Sequence, residues 1–187
     1  STTSFFPSKP LGCYGDGGAV FTNNDEYAEK IKMIRVHGKN KRYHYKYIGM
    51  GGRLDTIQAA ILLAKLPHYK RELEMREKVA KLYSDLLPDS IVLPVVKPNR
   101  SSVWAQYTIR VNNRNVIQEK LKNNSIPTSI FYIKPLHLQE VFKNLKYNTG
   151  DFKVSEKISS KILCLPMHPY LKFEDVDKIC DLIMEIA

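Results

Sequence analysis

Apolar residues recur along this chain with two periods. Ile57, Ala60, Ile61, Ala64 and Leu66 trace one stripe, a rhythm that lines a single face of a helix. Pro67 follows, and a proline predicts a break there because it removes a backbone donor. A second helical stretch, Tyr69 to Leu87, repeats Leu73, Arg76, Ala80, Tyr83 and Leu87. Its Glu74–Lys78 and Glu77–Lys81 pairs have the favourable i,i+4 order. Residues Glu26 to Val36, behind the cap signal Asn23-Asn24-Asp25, read as a further helix. So do Val116 to Asn123 and Asp175 to Ile186, the latter with Val176, Ile179, Ile183 and Ile186 on one side.

Between these stretches the pattern turns strand-like. Ser1 to Phe6 tends towards β and stops at Pro7, and Ala19-Val20-Phe21-Thr22 reads as a buried strand. Val103 to Val111 is expected to be a strand with Trp104, Gln106, Thr108 and Arg110 on one face. Thr128 to Tyr132 and Leu163 to Leu165 are two more. Residues 37–53 read as a loop rich in Gly, Tyr and Lys. Pro88, Pro94 and Pro98 mark a turn-rich connection, so the expected organisation is 1–66, a connecting helix and linker over 67–93, and a small α+β module over 94–187.

Composition narrows the class. With 187 residues, 43% hydrophobic and 26% charged, the chain has enough apolar material for a real core, which excludes wholesale disorder. No apolar run approaches the roughly 18–20 residues that cross a bilayer, so no membrane partner is expected. The chain opens at Ser1 with neither the charged region nor the apolar run of a signal peptide. A cytoplasmic fragment or processed chain is the expectation. Cys13, Cys164 and Cys180 are widely spaced with no C-x-x-C pair, which argues for reduced thiols and against a zinc site or a disulfide framework.

The formal net charge is +10, unevenly placed: Lys30, Lys32, Arg35, Lys39, Lys41, Arg42, Lys46 and Arg53 fall in one stretch without an acid. Tyrosines interleave in Arg42-Tyr43-His44-Tyr45-Lys46-Tyr47. Such a stretch suits a phosphate backbone with stacked bases, or a smaller anion such as a nucleotide diphosphate. No helix-turn-helix, zinc-finger or RNP pattern accompanies it, so nucleic acid stays the distant alternative.

Candidate chemistry begins at Lys9, placed after a strand end and before Pro10 and a glycine-rich turn. A partly desolvated lysine there is able to form a Schiff base with a carbonyl. Ser4 offers a hydroxyl to a phosphate, and the backbone amides of the glycine turn offer more donors.

The segment SFFPSKPLG followed by YGDGGAVFTNN resembles the Schiff-base segment of the DegT/DnrJ/EryC1/StrS sugar aminotransferases. Further blocks come in that family's order: MIRVHG, YIGMGGRLDTIQAAILLAKL, VWAQYTI, IPTSIFYIKPLHLQ and VSEKISSKILCLPMHPYL. The resemblance covers the whole chain. It implies an α/β fold, a partial fold-type I aminotransferase: the C-terminal part of the large α/β/α domain plus a small α+β C-terminal domain.

It also implies roles by position. Lys9 is expected to carry pyridoxal 5'-phosphate and to shuttle the proton between cofactor and substrate. Ser4 is expected at the cofactor phosphate. Arg53 is expected to cross a homodimer interface towards the phosphate or the nucleotide sugar, and Tyr132 to lie near the sugar. Gly51 stands where the family commonly has Asn, and Phe131 where many relatives have His. The G-x-G-G-R form looks most like enzymes that aminate UDP-linked 3-oxo-glucuronate sugars. The implied partners are a nucleotide-diphosphate keto sugar and glutamate, within amino-sugar or surface-polysaccharide synthesis. His137 and His168 are expected to be structural, His37 to suit a helix C-terminus, and Trp104 to be core. Because members of the family are roughly twice this long, the chain alone is expected to be inactive. A split or inactive remnant that serves as a binding module is the alternative.

Overall fold

The N-terminal stretch closes on itself as a short antiparallel ladder. Strand β1 (Thr2–Ser4) pairs with β2 (Gly18–Val20) in the register Thr2↔Val20, Thr3↔Ala19, Ser4↔Gly18. The Ser1 ammonium donates to the Phe21 carbonyl at 2.8 Å, and the Phe21 amide returns the bond to Ser1. The expected buried strand is therefore an exposed one, with Val20 51% and Phe21 57% accessible. Two strands alone cannot cover both of their faces.

Helix α1 (Asp25–Ile34) follows, where the Asn24 side chain accepts from the Tyr27 amide at 2.9 Å. Asp25 and Glu26 occupy its first turn, where the helix dipole favours acids. Beyond it, the expected loop contains a hairpin, β3 (Lys39–Lys41) with β4 (His44–Tyr45), turning through Tyr43 at φ +66°. The hairpin is closed by backbone: the Gly38 carbonyl accepts from Lys46 at 2.8 Å and Tyr47 at 3.1 Å. A Cβ at Gly38 would lie 1.7 Å from the Tyr47 carbonyl oxygen, and its φ of +74° suits glycine.

Helix α2 (Thr56–Leu86) corrects a second expectation, because it runs through Pro67 without a break. An interior proline costs about 3 kcal/mol, which burial farther along the helix must offset. Leu62 is buried on one side, and Val79, Ala80 and Tyr83 on the other. The computed structural model describes residues 1–186. They form two compact units, Ser1–Lys70 and a second from Arg71 onward.

In the second unit, β5 (Tyr107–Arg110) pairs antiparallel with β6 (Ile162–Leu165), flanked in sequence by α3 (Arg114–Asn123), α4 (Lys153–Ser159) and α5 (Phe173–Met184). The core joins Tyr83 of α2 to Ile109, Ile117, Leu163, Val176 and Ile183. The rings of Tyr83 and Tyr107 stack at 4.9 Å, and burial pushes both phenols up from their ordinary range. The stripe Arg76, Ala80, Tyr83 and Leu87 is buried as its spacing predicts.

The expected strand over residues 103–111 begins only at Tyr107. Trp104 takes φ +46°, which breaks the extended run, and its amide donates to Ser102 Oγ at 3.2 Å. Its indole is buried as expected, with Nε1 donating to Glu77 Oε2 at 2.5 Å. Glu77 thus serves the indole, and Lys81 pairs with Asp85 at 2.7 Å. Tyr107 and Ile109, not Trp104's alternation partners, form the inward face. The expected strand Thr128–Tyr132 reduces to one bridge, Ser129 with Cys164.

Candidate active site

Lys9 ends a tight turn. Its amide donates to the Phe6 carbonyl at 2.8 Å, with Pro7 at the position where a fixed φ favours turning. The Phe6 amide in turn donates to Ser4 Oγ at 3.2 Å. Ser4 and Lys9 are therefore joined through one residue, and the Ser4 hydroxyl keeps its proton to donate elsewhere.

The turn is anchored from below. Phe5 donates to the Gly17 carbonyl and Cys13 to the Phe5 carbonyl, both at 2.8 Å. The buried Cys13 thiol lies 3.0 Å from the Phe5 carbonyl oxygen and 3.1 Å from that of Gly15. A Cβ at Gly12 would meet the Phe6 and Pro7 carbonyl oxygens at 2.7 Å, so the chain passes there only as glycine. Helix α2 adds two ties: the Tyr14 amide donates to Gln58 Oε1 at 2.8 Å, and Lys65 Nζ to the Gly12 carbonyl at 2.6 Å. Sequence reasoning passed over Gln58 and Lys65. Their signal is that two polar residues stand seven apart in an otherwise apolar helical stretch.

Arg53 lies in the same unit, on the segment between the hairpin and α2. That segment is laced to the end of α1: Met50 donates to Ile34 at 2.9 Å, His37 to Met50 at 3.0 Å and Gly52 to Arg35 at 2.8 Å. The motif blocks MIRVHG and YIGMGGR are thereby neighbours in space. His37 stands beyond the helix end at φ +61°, so it is a left-handed residue of this junction. Lys9, Ser4 and Arg53 are exposed. Among the described residues, neither the Lys9 ammonium nor the Arg53 guanidinium makes a hydrogen bond or ion pair. A cleft of about 740 Å³ beside β2 is lined by Phe5, Val20, Ile31, Arg35 and Leu54 among others, but by none of the three.

Tyr132 belongs to the second unit. It is exposed on the rim of an apolar cleft of about 770 Å³, edge-on to Phe131 at 5.5 Å. His137 lines the same cleft, and its Nε2 lies 3.0 Å from Glu156 Oε1. The Glu156 carboxylate also accepts from Gly150 at 2.9 Å and Phe152 at 3.2 Å. The Gly150 bond leads, with His137 and Phe152 adding to it, in holding this carboxyl below the usual carboxylate range. His168 Nδ1 accepts from the Tyr170 amide at 3.2 Å, the loop-capping role expected of it. Burial, then the Arg76 charge, hold its pKa below the ordinary imidazole value. Among the described residues no cluster of three or more His, Cys, Asp or Glu is placed to hold a metal. No helix among them is long and apolar enough to cross a membrane.

Comparison with known proteins places this geometry in context. A UDP-2-acetamido-2-deoxy-3-oxo-D-glucuronate aminotransferase of Pseudomonas aeruginosa is 46% identical over 179 residues, which are 95% of this chain and 49% of that protein. A pleiotropic regulatory protein of Geobacillus stearothermophilus is 45% identical over 189 residues, 99% of this chain and 51% of its own. The chain spans about half the length of the curated relatives it matches. Among solved structures, a DegT DnrJ EryC1 StrS aminotransferase from Brucella abortus superposes with a TM-score of 0.91 at 45% identity, covering 98% of this chain and 50% of that one. NtdA from Bacillus subtilis, solved with bound cofactor PMP, gives a TM-score of 0.88 at 27% identity, covering 98% of this chain and 45% of that one. The fold is thus that of part of an α/β aminotransferase. The family model for DegT/DnrJ/EryC1/StrS aminotransferases matches residues 1–184, and the chain belongs to that family.

Proposed function

We propose that this chain is the part of a sugar aminotransferase that carries the reactive lysine, and that the whole protein transfers an amino group to a nucleotide-linked keto sugar. The observation that carries this reading is Lys9 itself: an exposed primary amine without a hydrogen bond or ion pair among the described residues, on a tied turn whose Phe6 amide is bonded to a Ser4 hydroxyl with its own proton to give. An amine, a hydroxyl and a guanidinium fit a group with one aldehyde and one phosphate, as pyridoxal 5'-phosphate has. When bound, that cofactor supplies the electron sink that lets a carbon next to nitrogen lose a proton. Ser4, together with Arg53 of a neighbouring copy, would hold its phosphate by charge-assisted hydrogen bonds. The Lys9 amine takes the proton from the donor's α-carbon and returns one to the sugar carbon that gains nitrogen.

The substrate proposed is a UDP-linked 3-oxo sugar, with glutamate as donor, in amino-sugar or polysaccharide synthesis in the cytoplasm. Its support is the Pseudomonas aeruginosa relative, together with a UDP-N-acetyl-3-dehydro-alpha-D-glucosamine 3-aminotransferase of Acidithiobacillus ferrooxidans at 35% identity. In this reading Tyr132 orients the sugar, and a homodimer lets Arg53 reach the neighbouring subunit's site. The basic stretch around the hairpin then faces a diphosphate, which is a more economical account of the charge than nucleic acid.

The test is chemical. Borohydride reduction of the natural protein with pyridoxal phosphate should leave a pyridoxyl adduct on the peptide containing Lys9, and Lys9→Ala should abolish it. A stable adduct confined to another lysine sinks the assignment.

A further inference from the structure

The segment that carries Tyr132 has little to hold it. Between the bridge at Ser129 and helix α4 it contains only two short 3-10 turns, Leu136–Leu138 and Glu140–Leu145. Among the described residues, the hydrogen bonds of residues 130–148 run to neighbours no more than five positions away, with one exception. The exception is His137 to Glu156, 19 positions apart. This pair is sheltered, with side-chain accessibilities of 8% and 18%. The imidazole also packs 4.7 Å from the Phe152 ring, which meets Tyr147 edge-on at 5.0 Å.

Glu156 is bound on its other side as well. Its two oxygens accept from Gly150, and one also from Phe152, so the carboxylate is a fixed post set by backbone at the start of α4. An ionised carboxylate only accepts, so His137 Nε2 must carry the hydrogen that it donates. A hydrogen bond of this kind, to a charged group and away from water, is among the stronger ones a loop can make.

We infer that His137 and Glu156 are positioning residues for the sugar: the clasp fixes the segment 130–148, and thereby the place of Tyr132, without either residue touching the reacting atoms. This rests on the reading of Tyr132 as a sugar contact. It assigns a role to a histidine and a glutamate that lie outside the proton-transfer chemistry of Lys9.

The experiment compares His137→Ala, His137→Gln and Glu156→Ala in the natural protein. In His137→Ala and Glu156→Ala, hydrogen exchange across residues 131–147 should quicken by about tenfold or more, the scale of one charged hydrogen bond. Exchange in β5 and β6 should stay as it was. The His137→Gln variant should restore slow exchange, because its amide nitrogen can donate from nearly the same place. The apparent KM for a UDP-linked keto sugar should rise about as much as exchange quickens, while the rate of the glutamate half-reaction holds. Unchanged loop exchange in His137→Ala overturns the inference, and so does faster exchange with an unmoved sugar KM. No turnover in the unaltered protein would defeat the transamination reading alone, because loop exchange and its rescue by glutamine are read without substrate.

Discussion

Glu156 shows how much one carboxylate can organise when backbone amides surround it. Its pKa is lowered chiefly by the Gly150 amide, with help from His137 and Phe152. The unfolded chain therefore binds more protons than the folded one across the acid range. The resulting stabilisation is full above the unfolded carboxyl value of about 4.3 and is lost as pH falls through the folded value. Thermal denaturation should accordingly show the unaltered protein losing more melting temperature between roughly pH 5 and pH 3 than Glu156→Gln does. Equal losses in both would show that the carboxylate is not linked to folding in this way. Sequence motifs flagged Lys9, Ser4, Arg53 and Tyr132, but not Glu156. Glutamate at an exposed-looking position carries no mark of its partners, since Gly150, Phe152 and His137 meet it only after the loop has folded back.

At the scale of elements, periodicity found four of the five α-helices among the described residues: α3, α5 and the second half of α2 bury their stripes, whereas α1 buries no residue and Ile57, Ala60, Ala64 and Leu66 of α2 stand exposed. It missed α4, seven residues long, whose burial is confined to Ser159. It also placed a break at Pro67, where α2 continues, with Leu62 buried before the proline and Arg76, Val79 and Tyr83 after it. Pro67 is exposed and inside α2, so replacing it restores a backbone donor without disturbing a core contact. Pro67→Ala should raise stability by roughly 1–3 kcal/mol, read as a higher melting temperature. A lower one would mean that the ring itself is needed. Strands were harder to read. Val103–Val111 alternates like a strand, yet the left-handed Trp104 ends the alternation before Tyr107, because the indole gains a buried place and a carboxylate partner.

Across the whole molecule, burial is unequal. Nearly all buried hydrophobic residues belong to the unit that starts at Arg71, whereas Val20, Phe21, Tyr27 and Ile48 of the first unit stand exposed. The first unit also holds the acid-free run of eight lysines and arginines, much of it on the exposed hairpin. Trypsin should therefore cut first within residues 30–53 and leave a resistant fragment that includes β5, β6 and α5, identified by mass. Cleavage at equal rates in both units would contradict this distribution of stability.

The sequence by itself determined the family and the positions of most helices, because these depend on residue identity and on near neighbours. It marked a glycine-rich turn after Pro10, although the carbonyls that exclude a Cβ at Gly12 and at Gly38 are seen only in the fold. The tertiary structure alone decided that Gln58 and Lys65 anchor the Lys9 turn, that α2 continues past Pro67, and that His137 meets Glu156. Each of these depends on groups distant in sequence competing for one hydrogen bond or one buried site. Local pattern cannot express that competition, because its outcome is settled only when the chain has closed.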